Sequence, residues 1–309
     1  MTQTEARPGT DPPGEARRIR VLYNARSGVK AGIPTNRAGV DDVRRVMREH
    51  GLGDDLVTPA DETGTRAAAR DAVAEGIDVV VAAGGDGSAH MVAEELVDTT
   101  TALGILPMGT VMNVARMLRI PLELDAAAAV IGSGPIRPID VGVAREQLFI
   151  EAGSVGLNAA IFREVARVEG GDWLAVARTI WVAFRYRPSR MAIRLDDRRI
   201  RTRALAMTAS VGPYVGAAME VAPDARPDDG KFDVVIFRHF SKWELIRHLG
   251  SIAFGRRRYV PHVSTYRSSR VCVESRHPLP CRADGRDLGS TPIEFRTRPG
   301  VLRVVAPAD

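Results

Sequence analysis

The sequence of 309 residues has little cysteine, few aromatic residues and no long apolar run. Its only cysteines, Cys272 and Cys281, are too few for a disulfide framework or a four-cysteine zinc site, so we expect a reducing compartment. No segment approaches the roughly 18 uncharged apolar residues that a membrane-spanning helix needs. These absences favour a globular cytoplasmic protein over a secreted or integral membrane protein.

Lysine is also scarce, although the chain is basic. All but three of the 43 basic residues are arginines, because Lys30, Lys231 and Lys242 are the only lysines, and the net charge is +5. Such a surface attracts nucleic acid, anionic lipid headgroups or nucleotide phosphates. The sequence has no zinc finger or aromatic RNA-binding motif, so we predict no nucleic-acid partner.

The texture of the sequence changes along the chain. Residues 1–17 are rich in Pro, Gly and charged residues and lack the apolar core of a signal peptide, so we predict a disordered tail. Residues 18–140 alternate short apolar runs with helical patterns, and residues 141–309 alternate strands and turns. We therefore predict two domains, with the C-terminal end free to pack back on the first.

The first domain follows a repeated strand, turn and helix pattern. Strands are predicted at residues 19–23, 77–83 and 103–106, and helices at 41–50, 65–75 and from 88 to about 97. This order is typical of a doubly wound parallel sheet. In the second domain we predict strands at 147–152, 191–196, 204–211, 232–237, 270–274 and 301–305, with helices at 173–187 and 242–254.

Three small, polar turns follow strands of the predicted parallel sheet, at residues 24–28, 84–88 and 107–110. Doubly wound sheets bind ligands beyond the carboxyl ends of their strands, where all three turns would meet. No Walker loop is present, so backbone N–H groups, a helix N-terminus, arginine or Mg²⁺ must hold any phosphate. Asp86 can only accept hydrogen bonds, which suits a hydrated Mg²⁺ or a ribose hydroxyl.

Three motifs carry a resemblance to a known family. The run Gly84-Gly85-Asp86-Gly87-Ser88 resembles the Gly-Gly-Asp-Gly-Thr signature of the diacylglycerol kinase catalytic domain, which sphingosine kinases share and NAD kinases share more distantly. Residues 106–121 resemble the lipid-kinase segment Pro-Leu-Gly-Thr-x-Asn-x-x-Ala-Arg, and residues 223–230 resemble a second-domain motif of bacterial lipid kinases. The resemblance covers residues 19–307.

The resemblance implies a doubly wound α/β nucleotide domain, a β-sandwich domain, and ATP-dependent transfer of the γ-phosphoryl group to a hydroxyl of diacylglycerol or a related lipid. It also implies nucleotide contacts by Asn24, Ser27, Gly28, Thr58, Gly84, Gly85, Asp86, Gly87, Ser88 and Thr110. A catalytic role for Asp86 and a second-domain Mg²⁺ held by Asp229 and the carbonyls of Arg226 and Lys231 complete the implied site.

The sequence departs from the family pattern where the catalytic base is expected. The family carries Asp-Gly-Glu with the glutamate as base, whereas this chain has Asp284-Gly285-Arg286. Arginine cannot accept a proton, so we predict that Asp287 or Asp284 takes this role. His90 and Met91 likewise stand where the family has Asn and Glu.

Two other functions are compatible with the sequence. An NAD kinase has a soluble substrate, and both Asp228-Asp229-Gly230 and the segment from Gly109 to Arg116 argue against it. A pseudokinase that binds nucleotide or lipid without turnover is motivated by Arg286. The six histidines lack metal-ligand spacing and are expected to be surface or packing residues. The expected partner is a lipid at a membrane surface, with peripheral contact at the inner membrane face and a homodimer left open.

Overall fold

The structure is a computed structural model, and it describes residues 17–25, 29–30, 33–34, 38–160, 185–216, 218–239 and 262–308. Ser27, Gly28, the helix predicted at 242–254, and all but the last three residues of the helix predicted at 173–187 lie outside these ranges. Residues 1–16 of the predicted tail also lie outside them. No helix within the described ranges is long and apolar enough to cross a membrane.

Five helices lie in the first half of the described chain. They are α1 (Val40–Glu49), α2 (Glu62–Ala74), α3 (Asp86–Leu96), α4 (Asn113–Met117) and α5 (Leu124–Ser133). The strands of the same half are β1 (Ile19–Tyr23), β2 (Val29–Lys30), β3 (Ile33–Pro34), β4 (Leu56–Val57), β5 (Val79–Gly84) and β6 (Ala102–Pro107).

The described second half consists mainly of strands and turns, with a helical segment at residues 157–160. Its strands are β7 (Ile136–Ala144), β8 (Gln147–Phe149), β9 (Ala152–Gly156), β10 (Ser189–Arg194), β11 (Arg199–Ala204), β12 (Ala206–Ser210), β13 (Tyr214–Val215), β14 (Met219–Glu220), β15 (Phe232–His239), β16 (His262–Ser268), β17 (Arg270–Ser275), β18 (Pro280–Ala283), β19 (Arg286–Ser290) and β20 (Ile293–Val305).

The parallel strands have the order β4-β1-β5-β6. Every residue of β5 is buried, as expected for a strand covered on both faces. The chain steps from β1 outward to β4 and then back past β1 to β5, so right-handed crossovers place α1 on the face opposite α2 and α3. Accordingly, α1 contacts α5 and α2 contacts α3. The reversal leaves a switch-point crevice between the ends of β1 and β5.

The long strand β20 joins the two halves of the molecule. It pairs antiparallel with β7 and β17 and parallel with β6, which extends the parallel sheet to β17, β10 and β11. A second sheet, in the order β16-β15-β12-β9-β18-β19, packs on this extension. Between them, the Phe149 ring lies 5.7 Å from Phe232 and 6.0 Å from Phe295. The predicted fold class, a parallel α/β sheet with a β-sandwich, is confirmed.

Some predicted elements differ from the structure. The turn predicted at 84–88 is shorter, because Gly84 ends β5, Gly85 is the extended N-cap residue, and α3 begins at Asp86. This places the Asp86 carboxylate in the first turn, where the helix dipole favours a negative charge. The strand predicted at 147–152 is interrupted at residues 150–151, and β7 was missed because Pro138 and Gly142 resemble strand breakers.

Candidate active site

Two glycine turns meet at the N-terminus of α3. The Met108 N–H donates a hydrogen bond of 2.9 Å to the Gly84 carbonyl. A Cβ atom on Gly109 would lie only 2.7 Å from the Gly85 Cα, so the backbones approach too closely for any side chain at Gly109. The first N–H groups of α3 are thus framed by two backbone segments, an arrangement that suits an anionic group.

Polar side chains after neighbouring strands reach the same edge. Asn24, which follows β1, donates its backbone N–H to Ala83 at 3.0 Å and its Nδ2 to Ser88 Oγ at 2.8 Å. Ser88 is 5% exposed, so its hydroxyl braces Asn24 across the switch point. Thr58 directly follows β4 and is exposed, as is Thr110 after β6. The described members of the predicted nucleotide set therefore lie at one edge of the sheet, and their contact with nucleotide stays a prediction.

Asp86 links this edge to the short helix α4. Its Oδ1 accepts a hydrogen bond of 3.1 Å from the Val114 N–H, in the first turn of α4. The residue is half-buried, and within the described residues its Oδ2 accepts no hydrogen bond. A carboxylate oxygen that is held in place by its neighbour and has free lone pairs fits a Mg²⁺ ligand.

A buried polar cluster lies beside α4. Asn113 is 3% exposed, and its Nδ2 donates to Glu151 Oε2 at 2.7 Å and to the Gly216 carbonyl at 2.8 Å. His90 Nε2 on α3 lies 3.4 Å from Glu151 Oε1 and 3.2 Å from Asp284 Oδ2, although neither contact has hydrogen-bond geometry. Residues from α3, α4, the β8–β9 junction and the β18–β19 turn therefore converge.

Glu151 is the most electrostatically perturbed member of the cluster. Burial raises the pKa of Glu151 well above its ordinary value, and the nearby negative charges of Asp284 and Asp86 raise it further. The hydrogen bond from Asn113 acts in the opposite direction. A carboxyl group that ionises closer to neutral pH is suited to taking and returning a proton.

Asp284 has a different environment. Its carboxylate accepts hydrogen bonds from the backbone N–H groups of Ile150, Glu151 and Ala152 at 2.8, 3.1 and 2.9 Å. Its own N–H donates to the Ala152 carbonyl at 3.0 Å. These bonds use the backbone donors at the gap between β8 and β9, which explains why the strand predicted at 147–152 is interrupted. Asp284 thus fixes the backbone that carries Glu151.

The two residues after Gly285 point away from this cluster. Arg286 pairs with Glu94 on α3, with N–O distances of 2.6 and 2.9 Å, and donates to Gln147 Oε1 at 2.8 Å. Asp287 is exposed and accepts a hydrogen bond of 2.8 Å from the Gly289 N–H of its own strand. Successive strand residues face opposite sides, so Asp287 and Arg286 lie on different faces of β19. Asp287 as the base stays a prediction.

Comparison with known proteins identifies the family. Residues 18–144 match the diacylglycerol kinase catalytic domain, and residues 154–306 match the YegS C-terminal NAD kinase beta sandwich-like domain. A Pseudomonas aeruginosa protein named "Probable lipid kinase YegS-like" is 30% identical over 288 residues, covering 91% of this chain and 92% of that protein. The chain belongs to the bacterial diacylglycerol kinase and YegS-like lipid kinase family.

Other comparisons agree with this assignment. The diacylglycerol kinase of Bacillus subtilis is 29% identical over 249 residues, covering 78% of this chain and 82% of the relative. A crystal structure of a diacylglycerol kinase from Bacillus anthracis has the same fold, with a TM-score of 0.70 at 14% identity over 95% of this chain and 98% of that chain. The family predicted from the three sequence motifs is confirmed.

The second-domain motif of the family forms a braced turn. Asp140 is 3% exposed, and its carboxylate accepts hydrogen bonds from Gly230 N–H at 2.5 Å and Gly300 N–H at 2.9 Å. The Thr297 hydroxyl donates to the Gly230 carbonyl at 2.8 Å. The turn at residues 228–231 is therefore attached to β7 and to β20.

The predicted metal ligands in this turn already have protein partners. Asp229 accepts the Lys231 N–H at 3.0 Å and forms an ion pair with Arg267, while Arg226 pairs with Asp228 at 3.2 Å. One carboxylate and two carbonyl groups are suitable ligands for Mg²⁺, but the Arg267 guanidinium competes with Mg²⁺ for the Asp229 carboxylate. Mg²⁺ at this turn stays a prediction.

Glu151 and its contact with His90 were missed at the sequence level. Glu151 follows the apolar run Leu148-Phe149-Ile150, and a charged residue inside such a run was the signal that could have identified it. His90 was noted as a departure from the family pattern but was expected to be a surface or packing residue. The structure instead places its Nε2 between two carboxylates.

Proposed function

We propose that the chain is an ATP-dependent lipid kinase that transfers the γ-phosphoryl group to a hydroxyl of diacylglycerol or a related lipid. One observation carries this proposal: consecutive residues of α4 contact two parts of the site. These are the sheet edge with the predicted nucleotide residues, here called the nucleotide edge, and the buried cluster of Glu151 and Asp284, here called the carboxylate cluster. Asp86 accepts the Val114 N–H, and Asn113 donates to Glu151. Phosphate-binding and proton-accepting groups therefore meet at one helix terminus, as phosphoryl transfer requires.

The nucleotide would lie along the ends of β1, β4, β5 and β6. The N-terminus of α3 and the glycine backbone would receive its phosphates, because no side chain intervenes at Gly85 or Gly109. Mg²⁺ on the phosphates would neutralise their charge and would be held by Asp86 Oδ2. The hydrogen bond from Val114 to Oδ1 keeps that carboxylate oriented.

The lipid hydroxyl would approach from the sandwich side. Asp284 fixes the β8–β9 junction through three backbone hydrogen bonds, so the acceptor side of the site is rigid before substrate arrives. Positioning of both substrates provides much of the rate acceleration in this chemistry. We also propose that Asp229, with the Arg226 and Lys231 carbonyls, binds a second Mg²⁺ that stabilises the braced turn.

We further propose that the enzyme meets its substrate at an anionic membrane surface. On the outer face of β10 and β11, Arg190 lies directly opposite Arg203 and Arg194 opposite Arg199, and Arg201 extends the row. These five residues are exposed, and Arg190, Arg201 and Arg203 line an open cavity of about 500 Å³. Arg194 pairs with Glu274 at 3.1 Å. Like charges opposite each other destabilise a sheet, so anionic headgroups would relieve the repulsion between Arg190 and Arg203.

Vesicle sedimentation tests the membrane contact. The protein should sediment with vesicles that contain phosphatidylglycerol but not with pure phosphatidylcholine vesicles, and Arg201→Glu with Arg203→Glu should abolish the difference. Arg44→Glu on α1 is the matched control, because Arg44 is also exposed but lies on another surface. Equal sedimentation of wild type and the double variant would contradict a role for this face.

A radiolabelled-ATP assay tests the activity. Wild type is incubated with diacylglycerol, sphingoid bases, polyprenol, phosphatidylglycerol and NAD, and Asp86→Ala controls for contaminating kinases. A labelled lipid formed by wild type alone supports the proposal. Labelled NAD would indicate an NAD kinase, and ATP binding without any labelled product would indicate a pseudokinase.

A further inference from the structure

We propose that Glu151 is the proton acceptor for the lipid hydroxyl in this chain, in place of the glutamate that other family members carry where this chain has Arg286. The proposal rests on the proposed kinase function. It follows from the position of Glu151 between the nucleotide edge and the Asp284 turn, and from the contacts that occupy the alternative residues.

The alternative residues have other roles. Arg286 cannot accept a proton, and its guanidinium is paired with Glu94 on α3. Both carboxylate oxygens of Asp284 accept backbone hydrogen bonds, three in total, which suit a positioning residue. Asp287 is exposed and bonded to Gly289. Of the three carboxyl groups of Asp284, Asp287 and Glu151, only that of Glu151 is buried next to the N-terminus of α4. The same end of α4 contacts Asp86.

A hydrogen bond holds the Glu151 carboxylate in place at one oxygen but not at the other. Oε2 accepts the hydrogen bond from Asn113, and Oε1 faces His90 Nε2 at 3.4 Å without a hydrogen bond. The side chain retains 9% exposure, and the Asn113 Oδ1 beside it has no hydrogen-bond partner in the described chain. The cluster therefore has polar atoms available for a hydroxyl group.

The titratable and polar groups around Glu151 come from three elements. His90 and Asp86 face it from α3, Asn113 from α4, and Asp284 from the β18–β19 turn. Burial and the two aspartates raise the pKa of Glu151 well above its ordinary value. The carboxylate is consequently a stronger base than an exposed glutamate.

The hydroxyl O–H bond breaks, its proton moves to a Glu151 carboxylate oxygen, and the oxygen forms a bond to the γ-phosphorus of ATP. The bond from the γ-phosphorus to the bridging oxygen breaks, and its electron pair leaves with ADP. Glu151 then releases the proton to solvent, which restores the carboxylate for the next turnover.

The test compares Glu151→Gln with wild type in the lipid kinase assay. Glutamine keeps an acceptor for Asn113 but cannot take a proton, so we expect turnover to fall about 10²- to 10⁴-fold with ATP affinity unchanged. The acidic limb of the pH–rate profile should disappear. Glu146→Gln, an exposed residue on the preceding turn, is the matched control and should behave like wild type.

Two outcomes separate this inference from the proposed function. Near-normal turnover in Glu151→Gln, with wild type active on a lipid, would overturn only the role of Glu151. Wild type that phosphorylates no lipid would overturn the proposed function and this inference with it. If Glu151→Gln melts at a lower temperature than wild type, Glu151→Asp replaces it: reduced turnover with a displaced acidic limb supports the inference, and an unchanged profile overturns it.

Discussion

Removing the Asp284 carboxylate should destabilise the protein at the β8–β9 junction, and the size of the effect follows from the hydrogen bonds that are lost. The carboxylate is 7% exposed and accepts three backbone hydrogen bonds at the β8–β9 junction. A buried donor left without its acceptor costs about 1–3 kcal/mol. Water can satisfy part of this deficit, so we expect Asp284→Ala to lower the free energy of unfolding by about 3–6 kcal/mol.

Asp284→Asn separates the hydrogen bonds from the charge. Asp284 has a φ of +44°, a conformation that asparagine tolerates better than alanine. The side-chain carbonyl oxygen of asparagine can accept hydrogen bonds from the N–H groups of Glu151 and Ala152, which both donate to Oδ1 of Asp284. The asparagine NH₂ group would face the Ile150 N–H. The loss should therefore be smaller than for alanine, about 1–3 kcal/mol.

Urea denaturation followed by circular dichroism measures both variants. Asp287→Ala is the matched control, because its carboxylate is exposed three residues further on, and it should change stability by no more than about 0.5 kcal/mol. A loss below about 1 kcal/mol for Asp284→Ala would refute the reasoning, since it would mean that the three backbone donors find water equally well.

Three further predictions concern the contacts around the site. Gly109→Ala should weaken ATP binding at least tenfold by calorimetry, because its Cβ would lie 2.7 Å from the Gly85 Cα; unchanged affinity would contradict the close approach. Asp229→Ala should abolish any rise in melting temperature caused by Mg²⁺, and a wild type that melts identically with and without Mg²⁺ would show that no metal binds there. Arg286→Glu should lower the melting temperature at low salt by bringing a carboxylate beside Glu94, and the loss should shrink at high salt; an unchanged melting temperature would argue against this ion pair.

The fold and the nucleotide edge were predictable because they depend on local pattern and topology. A fully apolar run such as residues 79–83, rich in β-branched valine, is typical of a buried strand between layers of helices. Once the strands are parallel, their carboxyl ends meet at one edge, so Asn24, Gly85 and Thr110 are brought together without knowledge of any distance. The comparison with known proteins confirmed the family, with matches over residues 18–144 and 154–306.

The carboxylate cluster was not predictable from a single sequence. Its contacts join residues far apart in the chain, such as Asn113 with Glu151, 38 residues apart, and Arg286 with Glu94, 192 residues apart. No hydrophobic period links such pairs, since they depend on how β20 and the second sheet dock on the parallel strands. Asp284 was predicted as a candidate base, but its backbone hydrogen bonds could only be recognised from the structure.

The two departures from the family pattern, His90 and Arg286, both involve one face of α3. His90 and Glu94 are four residues apart, so they lie on the same face of the helix, and that face meets Glu151 through His90 and Arg286 through Glu94. Arg286, at the family's glutamate position, thus forms an ion pair with α3. Glu151, on the β8–β9 junction, meets the same helix one turn away. This arrangement keeps a buried carboxyl group beside the nucleotide edge, and with Glu151 as the proposed proton acceptor it would account for arginine at the position of the usual base.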